Sequence, residues 1–389
     1  KARPSTGHPK TAGSTVHAMA LALESAEHTD AALISWLREN DFWWDSTRVD
    51  LVHRNEAQCP DTEECSAGTS NSVLNTRCGV RGALALGSYE ADEVLAKIPK
   101  KACLTQLTAS APARALLARM EAARRKRPGA LSAEAWERAG WCARLGLVVL
   151  VEQSLGSESA FHAYLKSLPQ KVQVPLLWPS QVRASLQGTE ADELVQDMWG
   201  AAKCEWEECI APVVSGFDSS AVEFPPELFC WDSYLRARAI VTSRAFAVDD
   251  AHGVGLVPLA DLFNHVTGKQ NVQFSDYRIA AATTSDVDVD SSDEWAEIRV
   301  TKPISPGQEV LNSYGHLSNV SLLTSYGFTH DHNPADYVSI SAGLLRATCA
   351  LSGVSGGVLR NRTQWCVCTG LLHADSHEQR VKLHMRDPL

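Results

Sequence analysis

Two stretches decide how this chain is read: LVPLADLFNH at 256–265 and ISPGQEVLNSYGHLSNVSLLTSYGFTHDHNPADYVSI at 304–340. Their short apolar runs, punctuated by proline and glycine, predict brief strands: GLVPLADLF, QEVLNSY and DYVSISA. Upstream of the second stretch, AEIRVTKPI has the same character, and so does AIVTSRAF ahead of the first. Further back, RGALALGSYEADEVLAKIP (81–99) predicts two short strands around a turn, ended by Pro99.

A different composition separates these strand-rich regions. From about 108 to 210, Ala, Leu, Arg and Glu dominate, which predicts helices. One is expected from an N-cap at Ser132 through Trp136, Leu145 and Val149 to a stop at Gly156. Another should cover 28–40, with Ala31, Ile34 and Leu37 on its apolar face and an end near Asn40. Residues 55–72 are polar and Gly/Ser/Pro-bearing, a surface loop or insertion. A helix-length interruption between strand-rich segments implies an α+β core with a helical insert. The expected organisation is a tail at 1–27, a first core part at 28–107, a helical insert at 108–229, a second core part at 230–345 and a further segment at 346–389.

The 389 residues are ample for a buried core, with 44% apolar and 21% charged residues. A net charge of −10 without a basic stripe argues against nucleic acid, whose binding rests on neutralising phosphates. The longest apolar run, Leu145 to Val151, is far short of the ~20 residues that span a bilayer, so no membrane partner is expected. Eleven irregularly spaced cysteines read as thiols in a reducing, intracellular compartment: cytoplasm, nucleus or chloroplast. The opening KARPSTGHPKTAGST fits either a plain tail or the remnant of a trimmed transit peptide.

Several motif matches fail on their physics. Asp286, Asp288, Asp290 and Glu297 follow a calcium-loop spacing, but Ser291 stands where the sharp turn needs glycine, so an acidic hairpin loop is expected. Gly353-Val354-Ser355-Gly356-Gly357 matches a nucleophile-elbow pattern without the strand and helix that motif requires. Cys366, Cys368, His373 and His377 could supply zinc ligands at an unusual spacing; no metal is expected. Arg124-Arg125-Lys126-Arg127 reads as the cationic last turn of a helix.

The segments at 81–105, YLKSLP (164–169) with Trp178, WDSYLRARAIVTSRAF (231–246), DLFNH and GQEVLNSYG…YGF agree in order with the SET-domain methyltransferases. They resemble the branch that holds the Rubisco large-subunit and related non-histone protein methyltransferases, over roughly 30 to 345. The resemblance implies short curled strands with a pseudoknot, a helical insert and a C-terminal helical lobe. NPADYVSISAGLL would begin that lobe and HEQRVKLHMRDPL would continue it as a strand and turn; with the chain ending at Leu389, the lobe is expected to be incomplete.

The same resemblance implies an S-adenosylmethionine-dependent methyl transfer to a lysine of a protein partner, by a monomer. Its central difficulty is deprotonation: a free lysine is neutral about once in 2,500 at pH 7, a deficit of ~4.6 kcal/mol. An apolar channel beside a sulfonium would favour the neutral amine by desolvation and like-charge repulsion. By resemblance Tyr314 is the catalytic tyrosine, with Tyr326 and Asp261 completing the lysine channel. Arg244, Asn264, His265 and Phe328 would contact the cofactor, together with the loop Gly79, Val80, Arg81 and Gly82. That loop departs from the usual Gly-x-Gly: aligning Gly82 with the second glycine puts Val80 on the first, where the backbone must avoid positive φ. A protein-histidine methyltransferase and a silent SET scaffold are the alternatives, and Tyr326 favours lysine.

Overall fold

The computed structural model describes residues 29–54, 81–126, 140–169, 171–215, 228–276, 294–341 and 380–384. They divide between two compact units, one within 1–171, 206–264 and 271–312, the other within 172–205, 265–270 and 313–389.

Two four-stranded sheets frame the first unit. One joins β1 (Trp43–Trp44), β4 (Val94–Pro99), β9 (Trp295–Val300) and β8 (Val272–Asp276) in that spatial order. The other joins β2 (Val49–Arg54), β3 (Arg81–Ala85), β10 (Glu309–Asn312) and the two-residue β7 (Asn264–His265). The strands expected in 81–99 therefore exist, but they are not a hairpin. β3 pairs with β2 and β10 while β4 pairs with β1 and β9, so the intervening turn carries the chain from one sheet to the other. β8 and β9 are antiparallel neighbours, as a hairpin requires. The loop carrying Asp286, Asp288 and Asp290 lies outside the described residues, whereas Glu297 is buried in β9 with its carboxylate 2.7 Å from Arg299.

The apolar run Leu145–Val151 is the centre of the unit. It lies in a helix, Trp141–Leu155, in which Leu145, Leu147, Val148, Val149, Leu150 and Val151 are all buried, and a helix apolar all round must sit inside its neighbours. Helices Ala111–Lys126 and Trp231–Arg244 supply those neighbours. Gly156 ends the helix at φ 55°, as expected, but the helix begins at Trp141 after Gly140, so Ser132 is not its N-cap. Arg124, Arg125 and Lys126 do close the helix that starts at Ala111.

The strand expectation for AIVTSRAF is wrong through Arg244. Residues 231–244 are helical, and only Ala245–Asp249 form a strand, β5, which pairs with β6 (Gly253–Leu256). Burial of Tyr234, Leu235, Ala237, Ile240 and Val241 outweighs the β-branched composition. The Thr242 and Ser243 hydroxyls then satisfy themselves by donating to the carbonyls of Arg238 and Ala239, at 3.0 and 2.8 Å.

The N-terminal helix spans 29–39, close to expectation, but turns a different face inward. Leu33, Trp36 and Leu37 are buried while Ala31 is exposed. The indole explains the rotation, since it buries the largest area and donates to the Ala160 carbonyl at 2.7 Å.

In the second unit, helix Asn319–Tyr326 packs on helix Glu190–Cys204. β11 (Tyr337–Ser341) pairs antiparallel with β12 (Arg380–His384), which bears out the strand expected in HEQRVKLHMRDPL. Residues 342–379, including the glycine-rich stretch and the Cys366, Cys368, His373 and His377 set, lie outside the described residues.

Candidate functional site

Five rings of the second unit, Tyr314 among them, form one cluster. The Tyr314 ring lies 4.9 Å from His265 at 25° and 4.8 Å from Tyr326 at 30°, with Phe328 edge-on at 6.5 Å. His330 adjoins both His265 and Phe328, at 5.6 and 5.3 Å. Local sequence dictates the arrangement. Ser318 caps helix Asn319–Tyr326, its side chain accepting from the Ser321 N–H, and Gly327 ends that helix at φ 82°. Tyr326 and Phe328 therefore flank a sharp turn and lean back over Tyr314. The Asn319 side chain holds the segment beyond, donating to the His330 carbonyl at 2.9 Å and accepting from the His330 N–H at 3.0 Å.

The protons within the cluster can be assigned. His265 Nδ1 faces the Tyr314 backbone N–H at 2.9 Å, and a backbone N–H only donates, so Nδ1 is an acceptor. Nε2 therefore carries the proton and donates to the Thr267 hydroxyl oxygen at 3.0 Å. Burial first, and the neighbouring His330 second, push the His265 pKa down to about 4. Burial also raises the Tyr326 hydroxyl above its usual range.

A histidine whose folded pKa lies below its unfolded value of ~6.5 stabilises the fold above that value and loses the contribution as pH falls through about 4. His265, facing Tyr314, Phe328 and His330, should therefore contribute roughly 2–3 kcal/mol at pH 7 that disappears by pH 4. Urea denaturation at stepped pH checks this. His265→Asn should flatten the slope between pH 6.5 and 4, and an unchanged slope would refute it.

The first unit holds a second cluster. Asp261 is buried, and its Oδ2 accepts from the Tyr164 hydroxyl at 3.1 Å and from Arg244 Nη1 at 3.2 Å; Nη1 also donates to the Asp261 carbonyl at 3.0 Å. Burial and the adjacent carboxylate hold the Tyr164 hydroxyl far above its normal pKa, so it remains a donor. Asp261 Oδ1 is buried without a hydrogen-bond partner among the described residues. The fully buried Tyr164 opens YLKSLP, a segment of the resemblance with no site role assigned to it from sequence; it lies 97 positions from Asp261.

Asn264 donates through Nδ2 to Glu309 at 2.7 Å and to the Arg81 carbonyl at 3.3 Å. Two acceptors on one side fix the amide orientation and leave Oδ1 as an outward acceptor. The same contact explains Gly82, where a Cβ would lie 2.8 Å from both Asn264 Nδ2 and Glu309 Oε1. The Arg81 guanidinium is tied within the chain, donating to Asp30 at 3.0 Å and to the Ser167 carbonyl at 3.2 Å. Gly79 and Val80 lie outside the described residues. Among the described residues no group of three His, Cys, Asp or Glu side chains could hold a metal ion.

No family model matches the chain. It is 24% identical over 300 residues to the rat N-lysine methyltransferase SETD6, covering 73% of this chain and 56% of the relative. To the ribosomal lysine N-methyltransferase 3 of Saccharomyces cerevisiae it is 23% identical over 175 residues, 30% of this chain and 32% of that one. The chain thus spans a third to a little over half the length of these relatives. Among solved structures, the SET domain of LSMT bound to lysine and AdoHcy superposes with a TM-score of 0.56 at 17% identity, covering 93% of this chain and 68% of that one. Rubisco LSMT bound to AdoMet gives 0.50 at 19%, covering 80% and 59%. The solved structures show that this chain is an α+β protein with the fold of the LSMT SET domain.

Proposed function

We propose that the chain transfers a methyl group from S-adenosylmethionine to a lysine side chain of a non-histone protein. The observation that carries this reading is the packing of Tyr314 against Tyr326 and a neutral His265, an aromatic wall with no cation of its own. When bound, S-adenosylmethionine supplies a methyl already activated by the sulfonium, so the protein's task is to bind, orient and desolvate.

The residues present fit that task. Within the first unit, Asn264 Oδ1 would accept the cofactor's polar hydrogens, and the backbone at Arg81 and Gly82 would complete that hold; in the second, Phe328 offers an apolar face. Arg244 acts through Asp261: it donates to that buried carboxylate and to the carbonyl of the same residue, and so fixes its orientation. Within the first unit, the unsatisfied Asp261 Oδ1 is an acceptor that a ligand N–H would complete. Tyr314 orients the amine and Tyr326 forms the opposite wall, both taking water away from it and favouring the neutral form. The partner is a protein engaged by a single copy of the chain; thiols at Cys103, Cys142, Cys204, Cys209 and Cys230 suit a reducing compartment.

S-adenosylmethionine at a hundredfold excess over its Kd should stabilise the folded chain by ~2.7 kcal/mol, read as a rise in melting temperature. Asn264→Ala should shrink that rise. Label from methyl-tritiated cofactor should enter lysine residues of proteins in a lysate of the same organism. No thermal shift at millimolar cofactor, together with no label in lysine, would overturn the reading.

A further inference from the structure

Where the chain leaves β10 at Asn312, the backbone turns out of the sheet. Gly315 adopts φ 125°, and its N–H is taken by the Ser313 hydroxyl oxygen at 3.2 Å. Tyr314 thus lies between the end of β10 and Gly315. Its backbone is held by the imidazole of His265, which accepts the Tyr314 N–H through Nδ1 at 2.9 Å while its ring stacks on the phenol at 4.9 Å. The imidazole is itself pinned from the far side by Thr267, buried like His265, through Nε2.

We infer that His265 is a positioning residue for Tyr314: its side chain, locked as the Nε2–H tautomer between Thr267 and the Tyr314 backbone, sets the aim of the tyrosine hydroxyl. The resemblance assigns this histidine to the cofactor, but both of its ring nitrogens are engaged inside the chain. Any contact His265 makes with the cofactor is left to its main chain. Because a displacement of about 1 Å in a reacting group costs about a hundredfold in rate, an anchor on the Tyr314 backbone acts on turnover and leaves binding of the methyl donor nearly untouched. This inference rests on the methyltransferase reading above.

The test compares wild type, His265→Phe and His265→Asn in the full chain with S-adenosylmethionine and a lysine-containing substrate. His265→Phe keeps a ring for the stack and removes the acceptor, so kcat should fall on the order of thirtyfold with the KM for S-adenosylmethionine within about threefold. His265→Asn places Oδ1 where Nδ1 was, and should restore kcat to within about fivefold of wild type. A second measurement does not depend on how the variants fold: ¹⁵N-histidine spectra of the wild-type protein at pH 7 should show His265 as the neutral Nε2–H form. Asparagine as damaging as phenylalanine, or a loss of donor affinity at unchanged kcat, would overturn the inference. So would the Nδ1–H tautomer in an active wild type. A wild type that transfers no methyl group, even with the expected tautomer, would fail the functional reading and the inference with it.

Discussion

Tyr314→Phe should lower turnover about a hundredfold and leave the affinity for S-adenosylmethionine within about twofold, because one positioned hydroxyl acting mainly in the transition state is worth ~2.7 kcal/mol. The ring contacts predict that the fold survives. Stacking on His265 and Tyr326 is made by the phenyl ring, which phenylalanine keeps, and the backbone N–H that His265 accepts is unaltered. Melting temperature, donor titration and single-turnover kinetics on one preparation separate the effects. Loss of donor affinity in step with turnover would mean that Tyr314 holds the cofactor or the fold, and that its hydroxyl is not what the reaction uses.

The outcome for His265 and Tyr314 also shows what a sequence can disclose. Tyr314, Tyr326 and Phe328 were legible because the motif packs them into fifteen consecutive positions, and a helix ended by Gly327 folds that span back on itself. The same holds for Asn264, which adjoins His265. Partners far apart in the chain left no such trace. Arg81 looked like a cofactor residue, yet its guanidinium pairs with Asp30, 51 positions away, and nothing local to either residue marks that bond. Tyr164 and Asp261 meet across 97 positions. Secondary structure failed for the same reason: AIVTSR has strand propensity, and burial against the helix Trp141–Leu155 makes it helical. Strands β3 and β4 were found, but their partners in two different sheets depend on segments from beyond residue 290, which the turn between them does not encode.

Gly327 carries the largest stability effect expected of any single methyl group added to the second unit. Its φ of 82° is a left-handed conformation that costs a side-chain-bearing residue about 1–2 kcal/mol. Its N–H closes the helix by donating to the carbonyls of Leu322 and Leu323 at 3.1 and 3.0 Å, so the conformation cannot relax without opening the last turn. A Cβ there would also lie 2.7 Å from the carbonyl carbon and oxygen of Gln173 and 3.2 Å from Val174 N. All three are backbone atoms that no rotamer change can move aside, and overpacking of this kind costs about 1–3 kcal/mol more. Gly327→Ala should therefore destabilise by roughly 2–5 kcal/mol in urea denaturation. Gly268 separates the two contributions: it has a comparable φ of 76°, but its nearest neighbour to an added Cβ is Pro334 Cγ at 4.0 Å. Gly268→Ala should cost only the conformational part, about 1–2 kcal/mol. Equal losses at the two positions would show that the approach of Gln173 to Gly327 is slack, and that the glycine of the Tyr-Gly-Phe motif answers to the turn alone.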